Sequence, residues 1–283
     1  MLHRSLLAFT LALAGFAAPP IPIGHRGCRT ERPENTMAAF RHAIQAGVTV
    51  IEADAIATKD DRVIINHDLN IDSAICSLDG KPVAKDIPIR SLTFAELQRY
   101  DCGSTRNPAF PRQVLAPGAR MPALEEVLEL VQGQNVQLML ETKMDRDASP
   151  TFVNPEHIVA LIDRQLRRYG VSKQIILQSF DHRTLAVMHR INPDVTLCLL
   201  NPAKHLDNYV DPSRALGGAI QFVNFRVIEP GDVKTLHGAG IRVFSGTTND
   251  RQEWKRLTAL GVDGILTDDP AGLQEFLKAK PAI

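Results

Sequence analysis

What most constrains this chain is an alternation that runs almost from end to end. "PIPIGH" is followed by "NTMAAFRHAIQAG", in which Met37, Phe40, Ala43 and Ile44 fall at helical spacing. "VTVIEADAIAT" and "RVIINH" lead into a long irregular tract from Asp68 to Met121, and "LEEVLELVQ" resumes the pattern. Next come "VQLMLETK" with "PEHIVALIDRQLRRYG", "QIILQSF" with "DHRTLAVMHRI", and "VTLCLL" with a poorly patterned segment near "DPSRALGG". "IQFVNFRV" with "PGDVKTLHGAG", "IRVFSGTT" with "RQEWKRLTALG", and "DGILTDD" with "AGLQEFLKAK" complete the series. Gly47, Gly170, Gly240 and Gly261 close helical runs, as left-handed caps require.

These are eight strand-then-helix units, the second weakly patterned. Strands alternating with helices imply a parallel sheet covered on the outside, and eight units over 283 residues suit an α/β fold of the closed (β/α)8 (TIM) barrel type. The strands are short and continuously apolar, as a sheet buried under helices demands. A doubly wound open sheet is the alternative, but no GxGxxG follows the first strand. The tract at about 69–120, rich in Gly, Pro and Asp, carries one helix-like piece, "TFAELQRY". It reads as an insertion between the second strand region and the following helix, at the active-site end of the barrel.

Lys and Arg total 32 against 32 Asp and Glu, so net charge gives no case for a nucleic-acid partner or an anionic membrane surface. The N-terminus departs from this balance: Arg4 precedes an apolar run from Leu6 to Ala18, then prolines. Residues 1–17 read as a secretory signal, with Gly15 and Ala17 as the small residues before the cut. The run is too short for stable membrane insertion. A processed chain, 18–283, would be periplasmic or secreted; a leader that does not function would leave it cytoplasmic. The four cysteines (Cys28, Cys76, Cys102 and Cys198) show no CxxC spacing, which speaks against a zinc ribbon. Four buried free thiols is the favoured reading, with a Cys76–Cys102 bridge across the insertion as the alternative.

The apolar runs end in polar residues: His25 after the first, Glu52 and Asp54 in the second, His67 after its extension, Glu141 and Lys143 in the third. Burying unpaired charge is costly, so such endings need compensation. Side chains alternate along a strand, so Glu52 and Asp54 share a face, as do Glu141 and Lys143. If that face is the interior, three carboxylates meet at the barrel mouth. Salt bridges to Arg26 or Lys143 would satisfy any one of them; all three together call for a cation, and oxygen-only ligands suit Mg2+ or Ca2+. His25 and His67 beside them suit a general base and a general acid. His42, His157, His182, His189, His205 and His237 read as helix or surface residues, and Asp181 as a helix N-cap. Arg26 and Lys143 supply a cationic clamp for a phosphate. Base, acid, Lewis acid and clamp together perform displacement at phosphorus.

At these residues the sequence resembles the glycerophosphodiester phosphodiesterase family. The match consists of "GHRG" (Gly24 to Gly27), "PENT" (Pro33 to Thr36), "IEADAIAT", "NHD" (Asn66 to Asp68), "MPALEEVL" (Met121 to Leu128), "LETK" (Leu140 to Lys143), "QSF" (Gln178 to Phe180) and "GVDGILTDDP" (Gly261 to Pro270). Each is weak alone; their order and spacing span essentially the whole chain after the leader. The resemblance implies a (β/α)8 barrel with a small inserted subdomain, and one divalent cation, Ca2+ or Mg2+. It implies a small-molecule glycerophosphodiester substrate, hydrolysed to an alcohol and sn-glycerol 3-phosphate. By position, His25 and His67 become the acid/base pair, Glu52, Asp54 and Glu141 the metal ligands, and Arg26 and Lys143 the phosphate contacts. Glu34 and Asn35 support them from the loop beside His25. The implied route begins with attack by the substrate's own glycerol hydroxyl, giving a cyclic phosphate that water opens.

Two positions depart from the family pattern. Asp61 stands where a "DG" turn is common, and Gly246 stands where the family carries a tryptophan before Thr247 and Asn249. Phe244 and Trp254 read as packing residues. Two other functions fit the same barrel: a lipid phosphodiesterase of phospholipase D or sphingomyelinase type, and a catalytically silent glycerol-phosphate-binding barrel. The insertion holds Phe94, Tyr100 and Phe110 but no strongly apolar ridge, against the first. Retention of both histidines and all three carboxylates speaks against the second.

Overall fold

In the computed structural model, which describes residues 18–279, each apolar run of the sequence forms a strand. In chain order the strands are β1 (Ile21–Gly24), β2 (Val50–Ala57), β3 (Val63–Ile65), β4 (Ser77–Leu78), β5 (Lys81–Pro82) and β6 (Tyr100–Asp101). They continue as β7 (Gln137–Thr142), β8 (Ile175–Ser179), β9 (Thr196–Leu200), β10 (Ile220–Asn224), β11 (Arg242–Gly246) and β12 (Gly264–Thr267). Strands β1, β2 and β7 to β12 pair in parallel, and β1 closes the ring by pairing with both β12 and β2. This is the (β/α)8 barrel. The expected leader, 1–17, lies outside the described residues.

The helices that follow the barrel strands are α1 (Met37–Gln45), then, beyond the short α2 (Phe94–Leu97) of the insertion, α3 (Leu124–Val131), α4 (Pro155–Tyr169) and α5 (His182–Ile191). The last four are α6 (Val210–Ala215), α7 (Pro230–Gly238), α8 (Arg251–Leu260) and α9 (Pro270–Lys278). Weak patterning marks the second unit in the sequence, yet β2 and α3 are both well formed; the insertion only separates them. The shortest barrel helix is α6, in the poorly patterned "DPSRALGG" segment. Asp181 caps α5 through its side chain, and Gly170 and Gly261 end α4 and α8 in the left-handed conformation, as read from the sequence.

Inward-facing side chains fill the barrel's lower half, among them Ile23, Val50, Met139, Ile176, Phe222 and Phe244. Outward-facing residues such as Ile51, Leu138 and Leu177 pack under Phe40, Leu128 and Ile162 of the helices. Each such large side chain contributes about 1.5–3 kcal/mol through burial. Because the interior is packed to its middle, polar side chains on inward positions can gather only at the C-terminal rim. Trp254 packs in a second cluster between helices and strands, and Phe244 in the interior, so both are core residues.

Beyond the rim β2 continues into an antiparallel pairing with β3, Ala55 opposite Ile65 and Ala57 opposite Val63. The turn between them holds Asp61 at φ 58, a left-handed position that Asp tolerates better than most residues. The chain then builds a three-stranded sheet in the order β5-β4-β6 over a small core of Ile71, Ile75, Ile89, Leu97 and Tyr100. Here the favoured reading of four free thiols is corrected: Cys76 and Cys102 form a disulfide, while Cys28 and Cys198 remain free and buried. The cause is pairing geometry. Ser77 lies opposite Asp101 across β4 and β6, so the residues just outside that pair face one another. Among the described residues no helix is long and apolar enough to cross a membrane.

Candidate active site

The site begins with the tight turn written "GHRG". After β1 the chain turns back through Arg26 (φ 49) and Gly27 (φ 87). A side chain at Gly27 would meet the Ala39 backbone at 2.8 Å, so only glycine fits there. The Arg26 conformation costs energy for a non-glycine residue, and it is held by its N–H donating to Glu52 Oε2 at 2.9 Å. The same turn aims His25 at the rim.

Period-two alternation on β2 places Val50 in the barrel core and Glu52 and Asp54 above it. Cross-strand register then sets Asp54 beside Glu141 of β7, and Glu141 beside Gln178 of β8. Carboxylate oxygens of Glu52, Asp54 and Glu141 all lie within 4.8 Å of one another. Lys143, next inward position after Glu141, puts its ammonium 2.7 Å from Glu141 Oε1 and 3.1 Å from Asp54 Oδ1. Asn35 Nδ2 donates to Asp54 Oδ2 at 2.9 Å, and Gln178 Nε2 to Glu52 Oε1 at 3.1 Å. Arg26 pairs with Glu34 through Nη1, and its Nε lies 3.7 Å from Asp54 Oδ2.

Three buried acids around one ammonium cannot all hold full charge cheaply. Burial, reinforced by Asp54 and Glu141, pushes the Glu52 carboxyl well above the usual range. Burial likewise lifts Glu141 to about 7, even with Lys143 against it. Burial acts the same way on Asp54, but Lys143, His67 and Arg26 overcome it and hold this carboxyl at about 2. Glu52 and Asp54 are each 1% exposed. The donor set consists of hard oxygens. Asp54 Oδ1 faces Lys143 without an aligned hydrogen bond, and Gln178 Oε1 accepts none among the described residues. Such a set fits a divalent cation of the Mg2+ or Ca2+ type.

The two histidines are held alike at one nitrogen. His25 Nδ1 lies 2.6 Å from Asp268 Oδ1, and His67 Nδ1 lies 2.6 Å from Asp68 Oδ1. Asp268 is itself braced: Arg29 Nε stands 3.0 Å from its Oδ1, and Asn249 Nδ2 donates to its Oδ2 at 2.8 Å. Asn249 Oδ1 in turn accepts from Thr267 Oγ1 and from the Asp268 N–H, both at 2.9 Å. Burial lowers the His25 pKa below the ordinary imidazole value, more than Asp268 raises it. His67 sits on the loop after β3, in a narrow cavity it shares with Glu34, Asn35, Asn66, Asp68 and Arg120. Its pKa too is lowered by burial, against the pull of Asp54.

The structure thus gathers Glu52, Asp54, Glu141, Arg26, Lys143, Glu34 and Asn35 into one contact network, with His25 and His67 at its edge. The sequence reading passed over Asp268, Asn249, Arg29 and Gln178. Asp268 and Gln178 lay inside quoted motifs, "TDDP" and "QSF", but carried no assigned role. Gly246 ends β11 at φ 147, and a side chain there would meet Leu266 O at 2.4 Å. This backbone has no room for the tryptophan that the family pattern places here.

Comparison with known proteins identifies the family and the fold. The family model for the glycerophosphoryl diester phosphodiesterase family matches residues 25–272. A glycerophosphodiester phosphodiesterase of Caldanaerobacter subterraneus subsp. tengcongensis is 29% identical over 256 residues, covering 90% of this chain and 97% of the relative. Among solved structures, a Silicibacter pomeroyi protein assigned to glycerophosphoryl diester phosphodiesterases superposes with a TM-score of 0.85 at 27% identity, covering 92% of this chain and 94% of that one. A phosphodiesterase of Oleispira antarctica, in complex with the product sn-glycerol-3-phosphate, superposes with a TM-score of 0.77 at 23% identity, covering 92% of this chain and 98% of that one. With a family model matching residues 25–272 and a closed (β/α)8 barrel whose rim gathers acids, imidazoles and cations, this chain belongs to the glycerophosphoryl diester phosphodiesterase family and is a phosphoric diester hydrolase.

Proposed function

We propose that the chain hydrolyses small glycerophosphodiesters to an alcohol and sn-glycerol 3-phosphate, with His25 and His67 as its acid/base pair. The observation that carries this reading is the pair of imidazoles, each fixed through Nδ1 by a carboxylate at 2.6 Å beside one cluster of acids and cations. A carboxylate at Nδ1 holds the proton there and leaves Nε2 to take or give another. His25, buried and lowered in pKa, is the base of the first step; His67, more open to solvent, is the acid.

The substrate's glycerol hydroxyl gives its proton to His25 as its oxygen bonds to phosphorus. His67 protonates the departing alkoxide as the other phosphorus–oxygen bond breaks. In the second step the roles exchange, and water opens the cyclic phosphate. Arg26 and Lys143 bind the phosphate, while Glu34 and Asn35 hold Arg26 and Asp54. A divalent cation, Ca2+ or Mg2+, held by Glu52, Asp54 and Glu141 supplies Lewis-acid charge at the phosphoryl group. The product found in the Oleispira antarctica relative is the one assigned to this chain.

The test is a panel of glycerophosphodiesters and lysophospholipids, run with several metals and read for both glycerol phosphate and cyclic phosphate. Glycerol 3-phosphate from glycerophosphocholine or glycerophosphoethanolamine is the expected result. None from any headgroup would reject the reading, and cyclic phosphate from lysophospholipids alone would replace it with the lipid phosphodiesterase. We also propose export with removal of residues 1–17; the Cys76–Cys102 bond supports an oxidising compartment. Sequencing the mature N-terminus checks this, with Ala18 expected and an intact Met1 overturning it.

A further inference from the structure

Gln178 is a buried polar group that the reading above leaves without a task. It is 2% exposed, and its position on β8 is inward, two residues after the core residue Ile176. Register makes Asp54, Glu141 and Gln178 lateral neighbours on three adjacent strands. They form one row of oxygen-bearing side chains at the same height, and two of the three are the acids of the cluster.

We propose that Gln178 is a fourth oxygen donor of the cation site, binding through Oε1 while its Nε2–H steers Glu52. The proposal rests on the reading that Glu52, Asp54 and Glu141 hold a divalent cation. Glu52 is gripped at both oxygens, by Gln178 Nε2 at 3.1 Å and by the Arg26 N–H at 2.9 Å. With Glu52 ionised, as it would be against a bound cation, that grip fixes the orientation of the Gln178 amide, since the reverse orientation would set two oxygens face to face. It also leaves Oε1 buried with no donor to accept from among the described residues. Buried polar atoms are nearly always partnered, so an unpartnered oxygen beside three gathered carboxylates points to a ligand that arrives with its own positive charge. Cys198, its register neighbour on β9, offers no strong donor.

An amide oxygen also bears on which ion is preferred. Ca2+ accepts six to eight oxygens, side-chain amides among them, whereas Mg2+ keeps several waters and needs fewer protein ligands. Removing Gln178 should therefore weaken Ca2+ more than Mg2+.

Calorimetric titration of Ca2+ and of Mg2+ into the wild-type chain, Gln178→Leu and Gln178→Glu tests this, with circular dichroism as the control for folding. Gln178→Leu should weaken Ca2+ binding by about 10–100-fold, the range for lost supporting groups at metal sites, and Mg2+ binding by less. Gln178→Glu keeps an oxygen but loses the donor to Glu52. It should bind Ca2+ at least as well as wild type if Oε1 is a ligand. Ca2+ affinity of Gln178→Leu within twofold of wild type would overturn the proposal. So would a Gln178→Glu variant weakened as much as Gln178→Leu, since that outcome reduces Gln178 to a positioning residue for Glu52. Should Gln178→Leu fail to fold, Gln178→Glu alone decides. A wild-type chain that binds neither ion would remove the cation site itself and the proposal with it.

Discussion

His25 and His67 carry the same hydrogen bond in two different settings. Each ring meets a carboxylate at 2.6 Å, yet the partner of His25 lies 243 residues away and that of His67 is its neighbour in sequence. His25 stands in the barrel wall with 14% of its side chain exposed; His67 rides on the loop leading into the insertion with 36% exposed. Asp268 is buried and anchored by Arg29 and Asn249, whereas the Asp68 side chain is 59% exposed. Equal distances therefore hide unequal stiffness. One imidazole is fixed by the barrel, the other by whatever fixes the loop.

The largest effects test whether both rings are needed at all. His25→Ala and His67→Ala should each cut turnover by about 10²–10⁴ with the fold intact, the usual contribution of a proton-transfer group. Near-normal turnover by either variant ends the paired assignment. The next pair separates the two settings. Asp268→Asn, which can donate where Asp268 only accepts, should reset the His25 tautomer and cost about 10²-fold or more. Asp68→Asn removes an exposed contact that is an ion pair only while His67 is protonated, worth about 0.2–1 kcal/mol, so its loss should stay within about sixfold. If the two variants proved equally damaging, the contrast between the rings would vanish.

Smaller effects probe the insertion. Replacing Cys76 and Cys102 by serine frees a loop of separation 26, which costs about 3.5 kcal/mol in the chain-entropy view. Hydrogen exchange should speed up in the insertion around His67 while the barrel strands around His25 stay protected. A uniform change across both would show the insertion and barrel to be one cooperative unit. In the native chain, titration under denaturant without reductant should find two thiols, those of Cys28 and Cys198. Neither should react while folded, because burial raises Cys198 and pushes Cys28 up to about 12.

The smallest effect is a shift in pH dependence. Burial keeps the folded His25 pKa below 6.5, so the ring is neutral near neutral pH, as the proposed base requires. The acid limb of kcat/KM should accordingly lie below that value. Asp268 stabilises the charged ring, so Asp268→Ala should move the limb to still lower pH; a move upward would contradict the assignment. For stability the sign is the same. Protons bind the unfolded chain first, so His25 begins to destabilise the fold as pH drops below about 6.5, until the folded ring also protonates.

Much of this was legible in the residues because two periodicities do most of the work. Alternation on β2 and β7 tells that Glu52 with Asp54, and Glu141 with Lys143, share a face, and the strand-helix succession tells which face is inside. Asp268 was not legible for a physical reason: it sits beside Asp269, which caps α9, and a pair of acids before a helix reads as capping. Only closure of β12 against β1 shows that the first of the pair serves His25 instead. Gln178 escaped because an uncharged amide in a strand looks no different from a structural one until its oxygen is found without a donor. The cysteine pairing depended on which short strands lie side by side in the insertion, and nothing in the spacing of four cysteines settles that.

The seam of the barrel carries a final consequence. His25 is among the earliest residues of the first strand unit, and its anchor Asp268 follows the last strand. During synthesis the His25 imidazole is thus made long before the carboxylate that orients it. A partial chain that stops short of the final strand lacks the His25–Asp268 contact altogether, so this contact forms only when the ring closes.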